Sequence, residues 1–239
     1  MEVIHTDVIG PFSTSIGGYR YIITFIDEAT RKGKIYFMKK KSVALNQLEE
    51  YKALVENQVK RNLAKVELTE NARTTLLRIQ TDGGGEYMSN KFEVFLKANG
   101  IEHYRTNADE PRQNGLSERY GGLLQETALS LLKHSKLPFC YWPYAFKTAC
   151  YIMNCLPHTS LNGSSPHEQW SNEIPDISNL RTFGCDAWVR VINPHKGEDK
   201  VRLCTFLGYQ DGLKGYIFLD KITRRIIRSG DAVFSKMTI

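Results

Sequence analysis

Three acidic side chains occupy positions where carboxylates could share a bound cation. Asp7 interrupts the apolar run of a predicted strand, Asp82 ends another, and Glu118 lies in the first turn of a long predicted helix. Aspartate is uncommon inside strands, and a buried carboxylate without a partner is costly. If the two strands are parallel neighbours, Asp7 and Asp82 lie side by side, and a bound cation relieves their repulsion.

Divalent cations are the partners that such a group of carboxylates favours. Mg²⁺ takes a few carboxylates together with water and phosphate oxygens. Two such ions, about 3.5–4 Å apart, activate an attacking oxygen and stabilise a leaving oxygen in phosphodiester chemistry. Each acid also has a structural explanation: Asp7 as a surface acid, Asp82 as a turn residue, and Glu118 as an acid favoured at a helix N-terminus. The metal-binding interpretation therefore depends on all three together.

The segments that must position these acids alternate between strands and helices. Three β-rich runs with glycine turns open the chain, and the hydrophobic period then changes to that of helices and later strands. The predicted elements are, in chain order, strands at 3–9, 21–26 and 34–38, a helix at 44–59, a strand at 76–80, a helix at 90–98, a strand at 101–104, and helices at 115–134 and 139–155. This order predicts an α/β fold with a mixed five-stranded sheet flanked by helices.

The chain changes character after this segment. Residues 157–180 are rich in Ser, Asn, Gly and Pro and predict a linker, whereas residues 181–239 return to short strands separated by turns. Such strands predict a small C-terminal β-barrel-like module, so that the predicted domains are 1–156, 157–180 and 181–239. Three aromatic residues are expected in the core of the small module: Trp170, Trp188 and Tyr209.

The composition favours a folded protein with an acidic partner. The chain has 239 residues, 41% of them hydrophobic, and a formal net charge of +6. This excludes collagen-like and wholly disordered chains, and the basic surplus favours nucleic acid as the partner. No run approaches the roughly 18 apolar residues of a membrane helix, so no membrane association is expected. The five cysteines contain no C-x-x-C pair and, without a visible secretory signal, predict an intracellular protein.

The motifs around the acids resemble those of a known enzyme family. The first acid lies in HTD at 5–7, the second in TDGGGEY at 81–87, and the third in P-x-Q-N-G-x-x-E-R at 111–119. Residues 83–117, which number 35, separate the last two acids. The chain resembles the D,D(35)E integrases, and within them the integrases of copia-type retrotransposons. FGC at 183–185 and FLGY at 206–209 resemble the small SH3-like module that follows that core.

The resemblance implies a ribonuclease-H-like core and a metal-dependent reaction. Asp7, Asp82 and Glu118 would be its catalytic and metal-binding residues, with two Mg²⁺ or Mn²⁺ ions as cofactors. The implied reaction is strand transfer, in which the 3′-hydroxyl of a double-stranded DNA end attacks a phosphodiester of target DNA. The family also implies a homo-oligomer that acts in the nucleus. Gly83 replaces the family's usual Asn and adds backbone freedom beside a metal ligand.

Basic and polar side chains near the third acid and after the third strand are the candidate DNA contacts. The lysines among them also have a structural explanation, because lysine protects edge strands against aggregation. The candidates are Arg105, Arg112, Gln113, Asn114, Arg119, Lys39 and Lys40.

Two alternatives to an integrase remain open. A nuclease of the same fold would cut nucleic acid with water, although it would not be expected to carry the QNG-x-x-ER and FGC segments together. A non-catalytic, domesticated module would bind or assemble on DNA without chemistry. Testing RNA–DNA hybrids against paired DNA ends separates the nuclease from the integrase. Stabilisation by divalent metal and joining activity separate the non-catalytic module from it.

Overall fold

A mixed five-stranded sheet carries the first two acids in the computed structural model. Its strands are β1 (Val3–Ile9), β2 (Tyr21–Asp27), β3 (Gly33–Met38), β4 (Arg78–Thr81) and β5 (Glu102–Arg105), in the order β3-β2-β1-β4-β5. Strand β1 pairs antiparallel with β2 and parallel with β4, and β4 pairs parallel with β5. The predicted mixed five-stranded sheet is therefore confirmed.

The described residues contain five α-helices, of which the first four follow the predicted order and the fifth lies in the predicted linker. They are α1 (Ala44–Lys65), α2 (Asn90–Ala98), α3 (Gly115–Ser135), α4 (Trp142–Cys155) and α5 (Pro166–Ser171). Helix α1 places its apolar stripe on the sheet, where Tyr51 stacks on Phe25 with ring centroids 4.5 Å apart. Helix α2 begins where the Ser89 side chain accepts a hydrogen bond from the Phe92 amide, which satisfies one of the unpaired donors of a helix N-terminus. No helix among the described residues is both long and apolar enough to cross a bilayer.

The core beside the sheet also receives Trp170 from α5. Its ring packs against the cluster that contains Phe25 and Tyr51, and its Nε1 donates to Gln58 Oε1 at 3.2 Å. The expectation that Trp170 lies in the core of the small module is therefore wrong. The segment around Trp170 has the composition of a linker. That composition did not indicate that a single aromatic side chain would anchor the segment.

A separate antiparallel sheet forms the C-terminal part. Its strands are β6 (Asp186–Arg190), β7 (Val201–Tyr209), β8 (Tyr216–Asp220), β9 (Ile226–Ser229) and β10 (Ala232–Phe234), in the order β10-β6-β7-β8-β9. Phe206, Phe218 and Tyr209 are buried in its core, as expected for Tyr209. Trp188 is 49% exposed, so its assignment to the core is wrong. It lies on the outer face because strand side chains alternate and its neighbours Ala187 and Val189 point inward.

Contacts between Cα atoms divide the chain into two units. One contains Met1–Leu123 with Met153–Pro175, and the other contains Leu124–Ile152 with Asp176–Ile239. The residues that the structure describes are 2–65, 76–106, 115–190, 200–211 and 214–235, without the side chains of 60–65. The domains expected from the sequence, 1–156, 157–180 and 181–239, remain a prediction.

Candidate active site

Asp7 lies on the central strand β1, and Asp82 directly follows the last residue of β4, the parallel neighbour of β1. The register pairs His5 of β1 with Gln80 of β4. Continuing that register by two residues brings Asp7 level with Asp82, and level residues of parallel strands point to the same face. The condition on which the sequence analysis depended, that the first and fourth strands are parallel neighbours, is thus met.

Helix α3 brings Glu118 toward the same two carboxylates. Its Gly121 lies so close to β1 that a Cβ atom there would be 3.9 Å from Asp7 Oδ2. Glu118 precedes Gly121 by three residues and therefore lies on the same side of the helix. Burial raises the pKa of Asp7, and the negative charge of Asp82 and then that of Glu118 raise it further. Asp82 and Glu118 therefore both lie within electrostatic range of Asp7.

Backbone amides fix one oxygen of each strand-borne carboxylate. Asp7 Oδ1 accepts a hydrogen bond from the Val8 amide at 2.7 Å. Asp82 Oδ1 accepts one from the Gly84 amide at 3.1 Å. These bonds restrict the rotation of both carboxylates, so that their orientation is largely set by the backbone.

The donor set suits a divalent cation. Carboxylate oxygens are the ligands that Mg²⁺ and Mn²⁺ prefer, and a bound cation would relieve the repulsion that raises the pKa of Asp7. Within the part of the chain that the structure describes, no three His, Cys, Asp or Glu side chains form a group that could hold a metal ion as they stand. The acids supply suitable ligand atoms and lie near one another. Their side chains would have to move closer together to coordinate a cation.

A fourth acid, Glu86, lies beside the predicted three. Its side chain is only 5% exposed, and its Oε1 lies 3.0 Å from Lys41 Nζ. A Cβ atom on Gly84 would be 2.9 Å from Asp82 Oδ1 and 3.1 Å from Glu86 Oε1, so the loop after β4 holds both carboxylates close together. Glu86 is not among the predicted site residues. Its position four residues after Asp82 in the second acid motif was the available signal.

The structure describes four of the seven predicted DNA contacts. Lys39 and Lys40 are exposed at the end of β3. Arg119 is exposed next to Glu118, and its Nε donates to the Gly115 carbonyl at 2.9 Å. Three further candidates lie outside the described residues: Arg112, Gln113 and Asn114.

Arg105 has a partner within the protein. Its guanidinium pairs with the carboxylate of Glu93 on α2, and the same carboxylate oxygen lies 2.8 Å from His103 Nδ1. The hydrogen bond with His103 is the largest of the influences that lower the pKa of Glu93, and the bond from Arg105 lowers it further. Arg105 therefore helps to hold this end of the sheet, whatever else it contacts.

Replacing Gly83 with Ala is expected to stabilise the protein by about 0.4–1 kcal/mol. A Cβ atom at this position meets no atom within 4 Å, and the backbone is not left-handed there, so the gain comes from reduced freedom of the unfolded chain. Urea unfolding measures the difference. Gly10→Ala is the control that should lose stability, because its φ is +125° and its Cβ would be 2.7 Å from the Arg20 carbonyl oxygen. A loss of stability at Gly83 would contradict the described loop geometry.

Asp7→Asn is expected to stabilise the metal-free protein at neutral pH. The folded state raises the pKa of Asp7 above its ordinary value of 3.8, chiefly through burial. Ionisation therefore costs stability as the pH rises from about that value through the folded pKa, and Asn avoids the cost. Thermal unfolding in EDTA between acidic and neutral pH should show the two proteins diverging as the pH rises.

Asp176→Asn is expected to change the stability in the opposite direction and provides the control. Hydrogen bonds from Ser178 lower the pKa of this exposed carboxyl, so Asp176→Asn should lose a little stability at neutral pH and none at low pH. An Asp7→Asn protein that is less stable than the parent throughout this range would argue against the crowding of acids around Asp7.

The fold of the first sheet and its helices is that of an integrase catalytic core. The HTLV-2 integrase catalytic core domain, solved in complex with magnesium in a trimeric form, matches with a TM-score of 0.50 and 18% identity, over 70% of this chain and 94% of that chain. A chain of the simian T-cell lymphotropic virus intasome, solved in complex with PP2A regulatory subunit B56 gamma, matches with a TM-score of 0.55 and 15% identity. That match covers 100% of this chain and 80% of that chain.

Sequence comparison identifies the family. Residues 1–111 match the integrase core domain, and residues 185–239 match the retroviral polymerase SH3-like domain. The first match includes Asp7 and Asp82 and ends before Glu118. The chain is 35% identical, over its whole length, to the retrovirus-related Pol polyprotein from transposon TNT 1-94 of Nicotiana tabacum. It is 34% identical over 99% of its length to that from transposon RE2 of Arabidopsis thaliana.

The chain therefore belongs to the integrases of copia-type retrotransposon Pol polyproteins, as an integrase core domain followed by a retroviral SH3-like domain. It spans 17% of the tobacco polyprotein and 15% of the Arabidopsis one. Activities, substrates and partners of the whole polyproteins are not transferred to it by this likeness.

Proposed function

We propose that this chain joins the 3′ ends of element DNA to target DNA by phosphodiester transesterification that depends on divalent cations. The observation that supports this most is the proximity of Asp82 and Glu118 to Asp7, which lies on the central strand of an integrase-type sheet. Double-stranded DNA is the proposed partner, both as the element end and as the target.

The three acids would act as ligands of two Mg²⁺ or Mn²⁺ ions. Bound divalent cations activate an attacking hydroxyl and stabilise the leaving oxygen in such a transfer. The Val8 and Gly84 amides hold one oxygen of Asp7 and Asp82 in place, which limits the reorganisation needed when the site fills. The 3′ oxygen forms its bond to phosphorus as the bond to the leaving oxygen breaks, so no covalent enzyme intermediate is required.

Exposed cations near the acids would hold the DNA backbone. Lys39, Lys40 and Arg119 are exposed, and the chain carries a formal net charge of +6. Phosphate contacts of this kind make binding weaker as salt rises. Arg112, Gln113 and Asn114 are proposed contacts on the segment that leads into α3, and Arg105 is proposed to share its charge between Glu93 and DNA.

Assembly and location are also proposals. The simian virus relative was solved as an intasome and the HTLV-2 core as a trimer, which supports a homo-oligomer for this chain. Joining to chromosomal DNA would take place in the nucleus. We also propose that residues 1–156 are the catalytic core, 157–180 a linker and 181–239 the SH3-like module.

A joining assay with the full chain tests the proposal. Short DNA duplexes with varied terminal sequences are incubated with a supercoiled plasmid in Mg²⁺, in Mn²⁺ or in EDTA, and RNA–DNA hybrids are tested in parallel. We expect covalently joined products with either cation and none in EDTA. Cleavage of the hybrid without joining would favour the nuclease, and DNA retention without any chemistry would favour the non-catalytic module.

A further inference from the structure

A chain of part-buried hydrogen bonds ends at the backbone of Asp82. It begins at Glu93 of α2, whose Oε1 lies 2.8 Å from His103 Nδ1 on β5. The other ring nitrogen, Nε2, lies 2.9 Å from the Thr81 hydroxyl on β4. That hydroxyl donates to the Asp82 carbonyl oxygen at 2.9 Å. Four residues from three elements are thus connected without a break.

The two middle groups of this chain, Thr81 and the His103 imidazole, are shielded from water. Thr81 is fully buried, the His103 side chain is 7% exposed, and the Phe92 ring lies against the imidazole with centroids 5.6 Å apart. A carboxylate only accepts hydrogen bonds, so His103 Nδ1 carries the hydrogen that Glu93 receives. The Thr81 hydroxyl has a single hydrogen, which it gives to the Asp82 carbonyl, so His103 Nε2 is the donor in the bond with that hydroxyl. Hydrogen bonds in such an environment are stronger than in water and costly to leave unmade.

The backbone that follows Asp82 has unusually great conformational freedom, which the bond from Thr81 would restrict. It is followed by three glycines, Gly83, Gly84 and Gly85, which restrict the chain less than any other residue type. The bond from Thr81 holds the peptide unit that joins Asp82 to Gly83. The Asp82 carboxylate is in turn oriented by the Gly84 amide of the same loop, so movement of that peptide unit would turn the carboxylate.

We propose that His103 is a positioning residue of this site, which acts through Thr81 to fix the peptide unit and hence the carboxylate of Asp82. Glu93 and Arg105 hold the imidazole in its orientation. The significance of the positioning rests on the proposed function, in which Asp82 is a metal ligand. The positioning itself is a property of the protein without metal or DNA.

Thr81→Val and Thr81→Ser form the matched pair that tests the proposal. Valine keeps the volume of threonine and loses the hydroxyl, whereas serine keeps the hydroxyl. We expect Thr81→Val to weaken binding of Mn²⁺ alone, measured by calorimetry with the full chain, by about tenfold or more, as loss of a supporting outer partner typically does. Thr81→Ser should bind within about twofold of the parent, since the bond to the Asp82 carbonyl remains.

A second measurement reports on positioning without any metal. In the metal-free protein, the nuclear magnetic resonance signals of the His103 ring nitrogens and of the Gly84 amide should shift in Thr81→Val and stay in place in Thr81→Ser. Amide signals of the C-terminal sheet should be unchanged in both, which separates local repositioning from a general loss of structure. If Thr81→Val does not fold, His103→Phe and His103→Gln replace the pair, with the Gly84 amide signal as the readout, because glutamine keeps a side-chain donor for the Thr81 hydroxyl and phenylalanine has none.

The outcomes separate this proposal from the proposed function. Unshifted Gly84 and His103 signals in Thr81→Val would overturn the positioning role even if the protein joins DNA. Shifted signals in a parent protein that does not join DNA would support the positioning role and contradict the integrase reaction. Equal Mn²⁺ binding by Thr81→Val and Thr81→Ser would overturn the link between the network and the metal-binding acid.

Discussion

Asp82→Asn is expected to abolish DNA joining while the protein remains folded. Asparagine keeps the shape of the side chain and an oxygen that can accept from the Gly84 amide, so the loop after β4 has no reason to rearrange. What is lost is one negative charge of the proposed metal site. Metal ions contribute several kcal/mol to the stabilisation of transition-state charge. At about 1.4 kcal/mol for each factor of ten, this predicts a loss of about a thousandfold or more.

Three measurements check this prediction together. Joined products are quantified in Mn²⁺, circular dichroism confirms the fold, and thermal unfolding with and without Mn²⁺ reports on the metal site. The variant should also lose the stabilisation by Mn²⁺ that the parent shows. Glu126→Gln removes an acid from the exposed surface of α3 and should leave joining unchanged. Undiminished joining by Asp82→Asn would refute the assignment of the acids.

Asn154→Ala is expected to cost about 2–4 kcal/mol of stability, the largest loss among the substitutions considered. The Asn154 side chain donates from Nδ2 to the Gly33 carbonyl at 2.8 Å and accepts at Oδ1 from the Gly33 amide at 2.9 Å. Both bonds are buried. Alanine leaves a donor and an acceptor of the backbone without these partners, and each buried group left unpaired costs about 1–3 kcal/mol.

The backbone at Gly33 has no room to rearrange when the hydrogen bonds with Asn154 are lost. A Cβ atom at this position would be 2.0 Å from Tyr120 Oη on α3, so the start of β3 is confined between that ring and the Asn154 amide. Asn154→Asp tests hydrogen bonding against packing, because the carboxylate keeps the volume and repels the Gly33 carbonyl; it too should be destabilising. Urea unfolding gives the free energies. Asn46→Ala, on the exposed face of α1, should change stability little, and an equally small change at Asn154 would contradict the prediction.

Local sequence patterns predicted most of the elements. The first strand, Val3–Ile9, and the second helix, Asn90–Ala98, have the predicted bounds, and α3 ends one residue later than predicted. Hydrophobic period and glycine turns act over short stretches, so they indicate such elements well. Helix α1 runs past Val59 to Lys65, because a helix continues beyond its apolar stripe when nothing in the sequence ends it.

Single side chains were harder to place than elements. The two tryptophans expected in the small module illustrate this: Trp170 packs on the core beside the first sheet, and Trp188 is half exposed. The same apolar side chain can fill a core, anchor a connecting segment or face outward. Only the residues around it decide, and these come from distant parts of the chain.

The amino-acid sequence by itself determined the motifs around the acids, whose resemblance predicted the family, and the order of strands and helices, which predicted the mixed sheet. The tertiary structure alone decided that Glu86 and Lys41 pair beside Asp82, that Arg105 is engaged by Glu93, and that His103 reaches Thr81. These contacts depend on the register of β4 with β5 and on where α2 and the β3 end pack. Such long-range geometry has no periodic signal in sequence, because it arises only when separate elements meet.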